Sequence, residues 1–297
     1  MNGKKTAAIT VAAAGASYMA YRAVSSEVLN KIFALEHTDM PIDAGFYEWI
    51  NSSKVTSVKV KSFDGLQLNA YKVENNETDR YVILVHGSTT NKAYMYPQAL
   101  AFDKLGYNIL LVDQRGAGES QGEYQTYGFK EAQDLQIWIN YLVSKKPAAK
   151  ICLYGVSAGA ATVMLATGYK LPENVKCLVE DSGFSSLEEM LAHKIKKDYK
   201  ILVTYPVTLL IENKMKERFG IRFSDVSPKL CLENNEIPIL FIHSEEDELV
   251  PFDMAKILYN HNKGVKKYYP IKDSKHGLAY QDPSYFENVD RFISTYM

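Results

Sequence analysis

Surplus charge, cysteine and long apolar runs are all scarce in this 297-residue chain. Its 34 Lys and Arg against 35 Asp and Glu leave a formal net charge of −1, so there is no electrostatic footprint for nucleic acid. Lys194, Lys196, Lys197 and Lys200 form a local basic run that reads as a solvated helix face. The three cysteines, Cys152, Cys177 and Cys231, are odd in number and lack CxxC spacing, which removes the case for a disulfide framework or a zinc site. Cys152 and Cys177 lie in apolar strand-like runs and read as packing residues. The six histidines are scattered, with no HExxH and no pair at helical spacing, so neither a metal nor any other cofactor is expected. What remains is 46% apolar and 23% charged, the make-up of an ordinary globular protein.

The N-terminus comes nearest to a long apolar run. Lys4 and Lys5 precede an alanine-rich stretch from Thr6 to Ala20, before Tyr21-Arg22. A basic start followed by apolar residues suggests a secretory signal or signal anchor, although alanine contributes little transfer energy and about 20 apolar residues are needed to span a bilayer. Three readings compete: an uncleaved anchor, a signal cleaved at a small-residue site such as Ala12-Ala13-Ala14, and an amphipathic soluble helix. The helical pattern continues through Ala23 to Leu35, which favours the anchor and a membrane-associated protein over a cytoplasmic or secreted one.

Further along, Val55–Val60, the turn Phe63-Asp64-Gly65 and Leu66–Val73 read as a hairpin. Tyr81-Val82-Ile83-Leu84-Val85 is the continuous apolar run of a strand buried on both faces. Helix and strand then alternate: a helix over Tyr94–Leu105, a strand at Asn108–Val112, a helix from about Tyr127 to Ser144, a strand at Ile151, a helix after Ser157 and a strand at Cys177-Leu178-Val179. This alternation predicts a mostly parallel, doubly wound α/β sheet. It breaks over residues 185–236, which are helical in pattern and read as an inserted cap. It resumes with a strand at Ile237–Ile242, a helix at Phe252–His261, a strand at Lys266–Ile271 and a terminal helix at Pro283–Tyr296. The expected organisation is an N-terminal segment and helical lead-in (1–50), a core in two parts (51–184 and 237–297) and the cap between them.

The chemistry is carried by Gly155-Val156-Ser157-Ala158-Gly159, set between the run Ile151-Cys152-Leu153-Tyr154 and a small-residue helical stretch. A serine hydroxyl is a weak nucleophile and must stand clear of the sheet on a strained turn. The flanking glycines let strand and helix pass closely, and the amide of Ala158 would face the developing oxyanion. Such a serine needs a base, and the base an orienting carboxylate, in the chain order serine, acid, histidine. Of the later histidines, His193 falls in the cap, His261 near the end of an exposed helix and His243 at the end of a buried strand. His276, in the polar loop after the penultimate strand, is the expected base. Several carboxylates follow the strand ending at His243. Asp247 is favoured because Leu249-Val250-Pro251 would anchor its loop, with Asp181 as the alternative and Glu245, Glu246 and Glu248 read as solvated charge. The loop His86-Gly87-Ser88-Thr89-Thr90 supplies the second oxyanion donor, Ser88 ahead of Thr89, while His86 reads as a loop-holding residue. Arg115-Gly116-Ala117-Gly118 lacks the third glycine of a dinucleotide fingerprint and reads as a tied-down loop.

Together, His86-Gly87, the stretch from Asp113 to Gly122, Gly155-Val156-Ser157-Ala158-Gly159, the stretch from His243 to Pro251 and Lys275-His276-Gly277 resemble the α/β-hydrolase family. More closely, the chain is similar to the bacterial branch grouped with serine aminopeptidases (S33) and Bem46-like hydrolases. The resemblance implies Ser157 as nucleophile, Asp247 as acid and His276 as base. Ser244 departs from the glycine of many members, and the oxyanion loop lacks the HGGG form of one lipase-like branch. The expected function is an esterase-type serine hydrolase acting on an ester, thioester or amide in a small molecule or short peptide. A peptidase, an acyltransferase and a non-catalytic binding protein of the same fold are the alternatives.

Overall fold

The computed structural model describes residues 18–31, 41–52, 54–74 and 77–297. The chain divides into two compact units, one of residues 188–225 with residues up to 34, the other of residues 35–187 and 226–297.

The larger unit is an eight-stranded sheet in the order β1-β2-β4-β3-β5-β6-β7-β8. β1 (Val55–Lys61) and β2 (Gln67–Val73) form an antiparallel hairpin in the register Val55↔Val73. β2 joins β4 (Asn108–Val112) antiparallel, and the remaining pairs are parallel. These are β3 (Arg80–Val85), β5 (Lys150–Val156), β6 (Val175–Asp181), β7 (Ile239–Ser244) and β8 (Lys266–Ile271). The five central strands are buried almost throughout, as strands covered on both faces of a parallel sheet are.

Alternate residues of each strand build two cores. On one face Val82, Leu84, Ile109, Leu111, Tyr154 and Val179 pack with α2 (Ala44–Ile50), α3 (Tyr96–Lys104) and α10 (Tyr285–Tyr296). The other face carries α4 (Phe129–Lys145), α5 (Ala158–Ala166), α8 (Pro228–Leu232) and α9 (Asp253–His261), with Phe241 of β7 stacked edge-on to Tyr259 of α9. The helix expected from Tyr94 opens instead with a 3-10 turn, Lys92–Met95, because the Asn91 side chain caps Ala93 there and Pro97 starts the α-helix.

The smaller unit is helical. Residues 18–31 form α1, which buries Val28 and Leu29. α6 (Leu187–Tyr199) buries Leu187, Leu191 and Ile195, and α7 (Tyr205–Phe219) buries Val207, Ile211 and Met215, each set spaced by four as one face of a helix demands. Pro206 sits in the first turn of α7, where its missing N–H costs nothing, and Gly220 ends the helix at φ 70°. The inserted unit is shorter than the 185–236 read from sequence. Leu187 N–H donates to Val226 O and Lys229 N–H to Ser185 O, which ties both ends of that stretch into the sheet unit. Of the expected apolar N-terminal segment, residues 6–17 lie outside the described residues; among the described residues no helix is long and apolar enough to cross a membrane.

Candidate active site

Ser157 stands between β5 and α5 at φ 57°, a left-handed conformation that a serine adopts only when its surroundings impose it. Those surroundings leave no room on either side. A Cβ at Gly155 would lie 2.2 Å from Gly159 O, and one at Gly159 would lie 2.1 Å from Val85 O. The Ser157 N–H donates to Asp181 O at 2.8 Å, which holds the turn against β6.

His276 and Asp247 reach this turn from two later loops. His276 Nε2 lies 2.8 Å from Ser157 Oγ, and its Nδ1 lies 2.6 Å from Asp247 Oδ2. Asp247 Oδ1 accepts the backbone N–H groups of Leu249 and Val250 at 2.9 and 2.8 Å, so the Leu249-Val250-Pro251 segment orients the carboxylate. Burial alone would raise its pKa, but hydrogen bonds from His243, His276 and the Val250 N–H hold the carboxyl well below the usual carboxylate range. Ser244 lies with its Oγ 3.4 Å from Lys275 O and tethers the loop that carries the histidine. The alternative acid, Asp181, is engaged elsewhere, accepting from Tyr285 Oη at 2.7 Å and Ser182 Oγ at 2.8 Å.

Ala158 is the first residue of α5, where a helix leaves its N–H without an internal partner. The loop after β3 passes close to the serine, since a Cβ at Gly87 would lie 3.3 Å from Ser157 Cβ. Ser88 is the next residue. His86 holds this loop from beneath: its Nε2 accepts the Gln114 N–H at 3.0 Å, its Nδ1 faces Gly87 O at 2.7 Å, and Gln114 Nε2 donates to His86 O at 2.6 Å. Arg115 bridges Asp64 and Asp134 at 2.9 and 2.7 Å, fastening its loop to the β1–β2 turn and to α4.

Two features escaped the sequence. Tyr127, at φ 53°, hydrogen-bonds the Ser88 side chain, and burial pushes its phenol up to about 12. His243, set aside as a strand-end histidine, lies with Nε2 3.3 Å from Asp247 Oδ2. The Tyr127–Ser88 contact has no local sequence signal because only the fold brings it together, and His243 and Asp247, four residues apart, carry no pattern that says the ring turns toward the carboxylate. Among the described residues no group of three or more His, Cys, Asp or Glu could hold a metal ion.

Comparison with known proteins fits this geometry. Residues 76–230, more than half of the chain, match the family described as Serine aminopeptidase, S33. The chain belongs to that family of α/β-hydrolases. The family stretch contains Ser157 but ends before Asp247 and His276, so the acid and base rest on the geometry above. Among its relatives, the chain is 29% identical over 250 residues to the uncharacterized protein YqkD of Bacillus subtilis, covering 83% of this chain and 82% of that one. It is 22% identical over 244 residues to protein bem46 of Schizosaccharomyces pombe, covering 80% and 76%. The solved structure of the Pyrococcus furiosus esterase Pf2001 shares the fold at a TM-score of 0.69 with 22% identity, over 89% of this chain and 98% of that one.

Proposed function

We propose that this serine hydrolase cleaves carboxylic esters of small molecules through an acyl-enzyme on Ser157. The observation that carries the reading is the unbroken series Ser157 Oγ, His276 Nε2, His276 Nδ1, Asp247 Oδ2, with gaps of 2.8 and 2.6 Å, ending on a serine in a strained turn. His276 Nε2 takes the hydroxyl proton as Ser157 Oγ bonds to the carbonyl carbon, while Asp247 stabilises the imidazolium through the Nδ1–H. The oxyanion is met by the N–H of Ala158 and that of Ser88, each such donor lowering the barrier by roughly 3–4 kcal/mol. Collapse of the tetrahedral species breaks the bond to the leaving group, which takes the proton from His276 Nε2. Water then attacks the acyl-enzyme by the same route in reverse, and Ser157 regains its proton.

The Pyrococcus furiosus esterase that shares this fold supports an ester substrate. The family description supports a second reading, release of an amino acid from a short peptide by the same steps. Chromogenic esters of graded acyl length, run beside aminoacyl anilides, separate the two. Short esters turned over far faster than anilides support the esterase, and the opposite ranking supports the peptidase. A fluorophosphonate should label Ser157 covalently and leave Ser157→Ala untouched. A folded wild-type protein that takes no label removes both readings and leaves a binding protein.

A further inference from the structure

Seven buried side-chain atoms lack a hydrogen-bond partner among the described residues, and three of them share one stretch of sheet behind the acid. They are Glu180 Oε1 on β6, His243 Nδ1 on β7 and Tyr268 Oη on β8. The parallel register explains the grouping. Glu180 pairs with Phe241, and Phe241 with Tyr268, so these side chains share a face, and His243, two residues after Phe241, shares it too. Glu180 and His243 are fully inaccessible to solvent. Unpaired polar atoms in such a place are expensive, and a fold that keeps three together is using them.

His243 has one worked edge and one idle edge. Its Nε2–H donates to Val250 O at 2.9 Å, and Asp247 Oδ2 lies 3.3 Å from the same nitrogen. Val250 in turn donates its own N–H to Asp247 Oδ1. The ring therefore meets the acid twice, by electrostatic contact at Oδ2 and through the Val250 peptide that holds the other oxygen. Its idle Nδ1 lies on the face carrying Glu180, whose Oε2 is fixed by the Gly183 N–H at 2.9 Å while Oε1 stays unpaired.

We propose that His243 is a positioning residue for Asp247, and that Glu180 controls the charge this second imidazole presents to the acid. The proposal rests on the serine-hydrolase reading and deepens it. The ionisable groups acting on His243 are Glu180 and Asp181 from β6 and Asp247 from its own loop, with His276 beyond it; the Tyr268 phenol of β8 faces Glu180, and behind it Glu245 and Asp253. At the start of α9 the uncharged Phe252 ring meets it edge-on. With its Nε2–H edge 3.3 Å from Asp247 Oδ2, His243 weakens electrostatically the pull of that oxygen on the His276 Nδ1–H. Without the donor Asp247 holds a charged His276 more tightly, and the serine is activated only at higher pH.

The test uses the full chain as wild type, His243→Phe, His243→Gln and Glu180→Gln, each checked for folding by thermal melting. Wild-type labelling by a fluorophosphonate, lost in Ser157→Ala, first establishes the underlying reading; no label there sinks the hydrolase, not the brace. Labelling rate is then followed against pH, with the downfield proton resonance of the His276–Asp247 hydrogen bond as an independent readout. His243→Phe should cut the maximal rate about tenfold to a hundredfold, as loss of positioning does. It should also move the acid limb of the labelling profile upward and shift the downfield resonance. His243→Gln, which keeps an N–H donor, should restore most of the rate. Glu180→Gln should follow wild type below about pH 7 and depart from it on the alkaline side. If folded His243→Phe only loses rate, with its acid limb and downfield resonance where wild type has them, His243 is packing and the proposal fails. If Glu180→Gln superimposes on wild type at every pH, Glu180 has no part in it.

Discussion

At the residue scale, the candidate site is a set of short hydrogen bonds whose direction decides what each group does. Asp247 accepts at both oxygens, so exchanging one oxygen for an amide turns an acceptor into a donor without altering shape. Asp247→Asn should fold as wild type yet present the wrong polarity to His276 Nδ1, forcing the imidazole into a tautomer unable to take the serine proton. By analogy with other triads the expected loss in kcat is about 10⁴. It is measured with the best chromogenic ester at fixed pH, and a loss below about tenfold would move the acid to another residue. The serine, aspartate and histidine that the sequence singled out lie in series here, and each was legible because it sits beside a local signal: an elbow motif, a strand followed by Leu249-Val250-Pro251, and a polar loop after a strand. His243 and Glu180 had no such signal. A histidine ending a buried strand and a glutamate inside an apolar run become informative only when register sets them on one face.

At the scale of elements, the nucleophile turn depends on what lies across the sheet from it. Asp181 gives its carbonyl to the Ser157 N–H, and its buried carboxyl is held by the Tyr285 hydroxyl of α10, which also meets Tyr154 Oη at 2.6 Å. Burial raises the pKa of Asp181, and the Tyr285 phenol and the Ser182 hydroxyl are the donors that make its position tolerable. Tyr285→Phe strips that donor from a buried carboxyl with almost no change in volume. The expected cost is about 1–3 kcal/mol, the penalty for a buried acceptor losing its partner. In urea unfolding this should lower the midpoint while Ser157 still labels under native conditions, and an unchanged midpoint would mean that α10 is anchored by apolar packing alone. The strands were legible because five of them carry apolar runs and lie parallel to one another. Helix starts were less so: Asn91 caps a 3-10 turn before the helix proper, a choice made by one side-chain hydrogen bond.

At the scale of the whole molecule, the alternation of strand and helix fixed the sheet, whereas the limits of the inserted unit depended on backbone pairing that composition cannot express. Residues 226–236 have the helical look of the insertion but belong to the sheet unit, where Pro228–Leu232 is a helix against α5. The same sheet carries an electrostatic liability that reaches its global stability. Burial pushes the Glu180 carboxyl up to about 8 in the folded protein. In the unfolded chain that group ionises near 4.5, so between these values folding must keep protonated a group that water would ionise. Its folded pKa is raised, so the stability it contributes is complete below about pH 4.5 and is lost as pH climbs through about 8. His243, whose folded pKa is also raised, loses its contribution in the same direction. The wild-type urea midpoint should therefore fall between about pH 5.5 and about pH 9, by an amount worth a few kcal/mol, since each tenfold difference in acidity between the folded and unfolded carboxyl is worth about 1.4 kcal/mol. Glu180→Gln keeps an acceptor for the Gly183 N–H but has nothing to ionise, and its midpoint should fall less steeply over the same interval. A variant that declines as fast as wild type would assign the alkaline loss to other groups, leaving this carboxyl a passive part of the core.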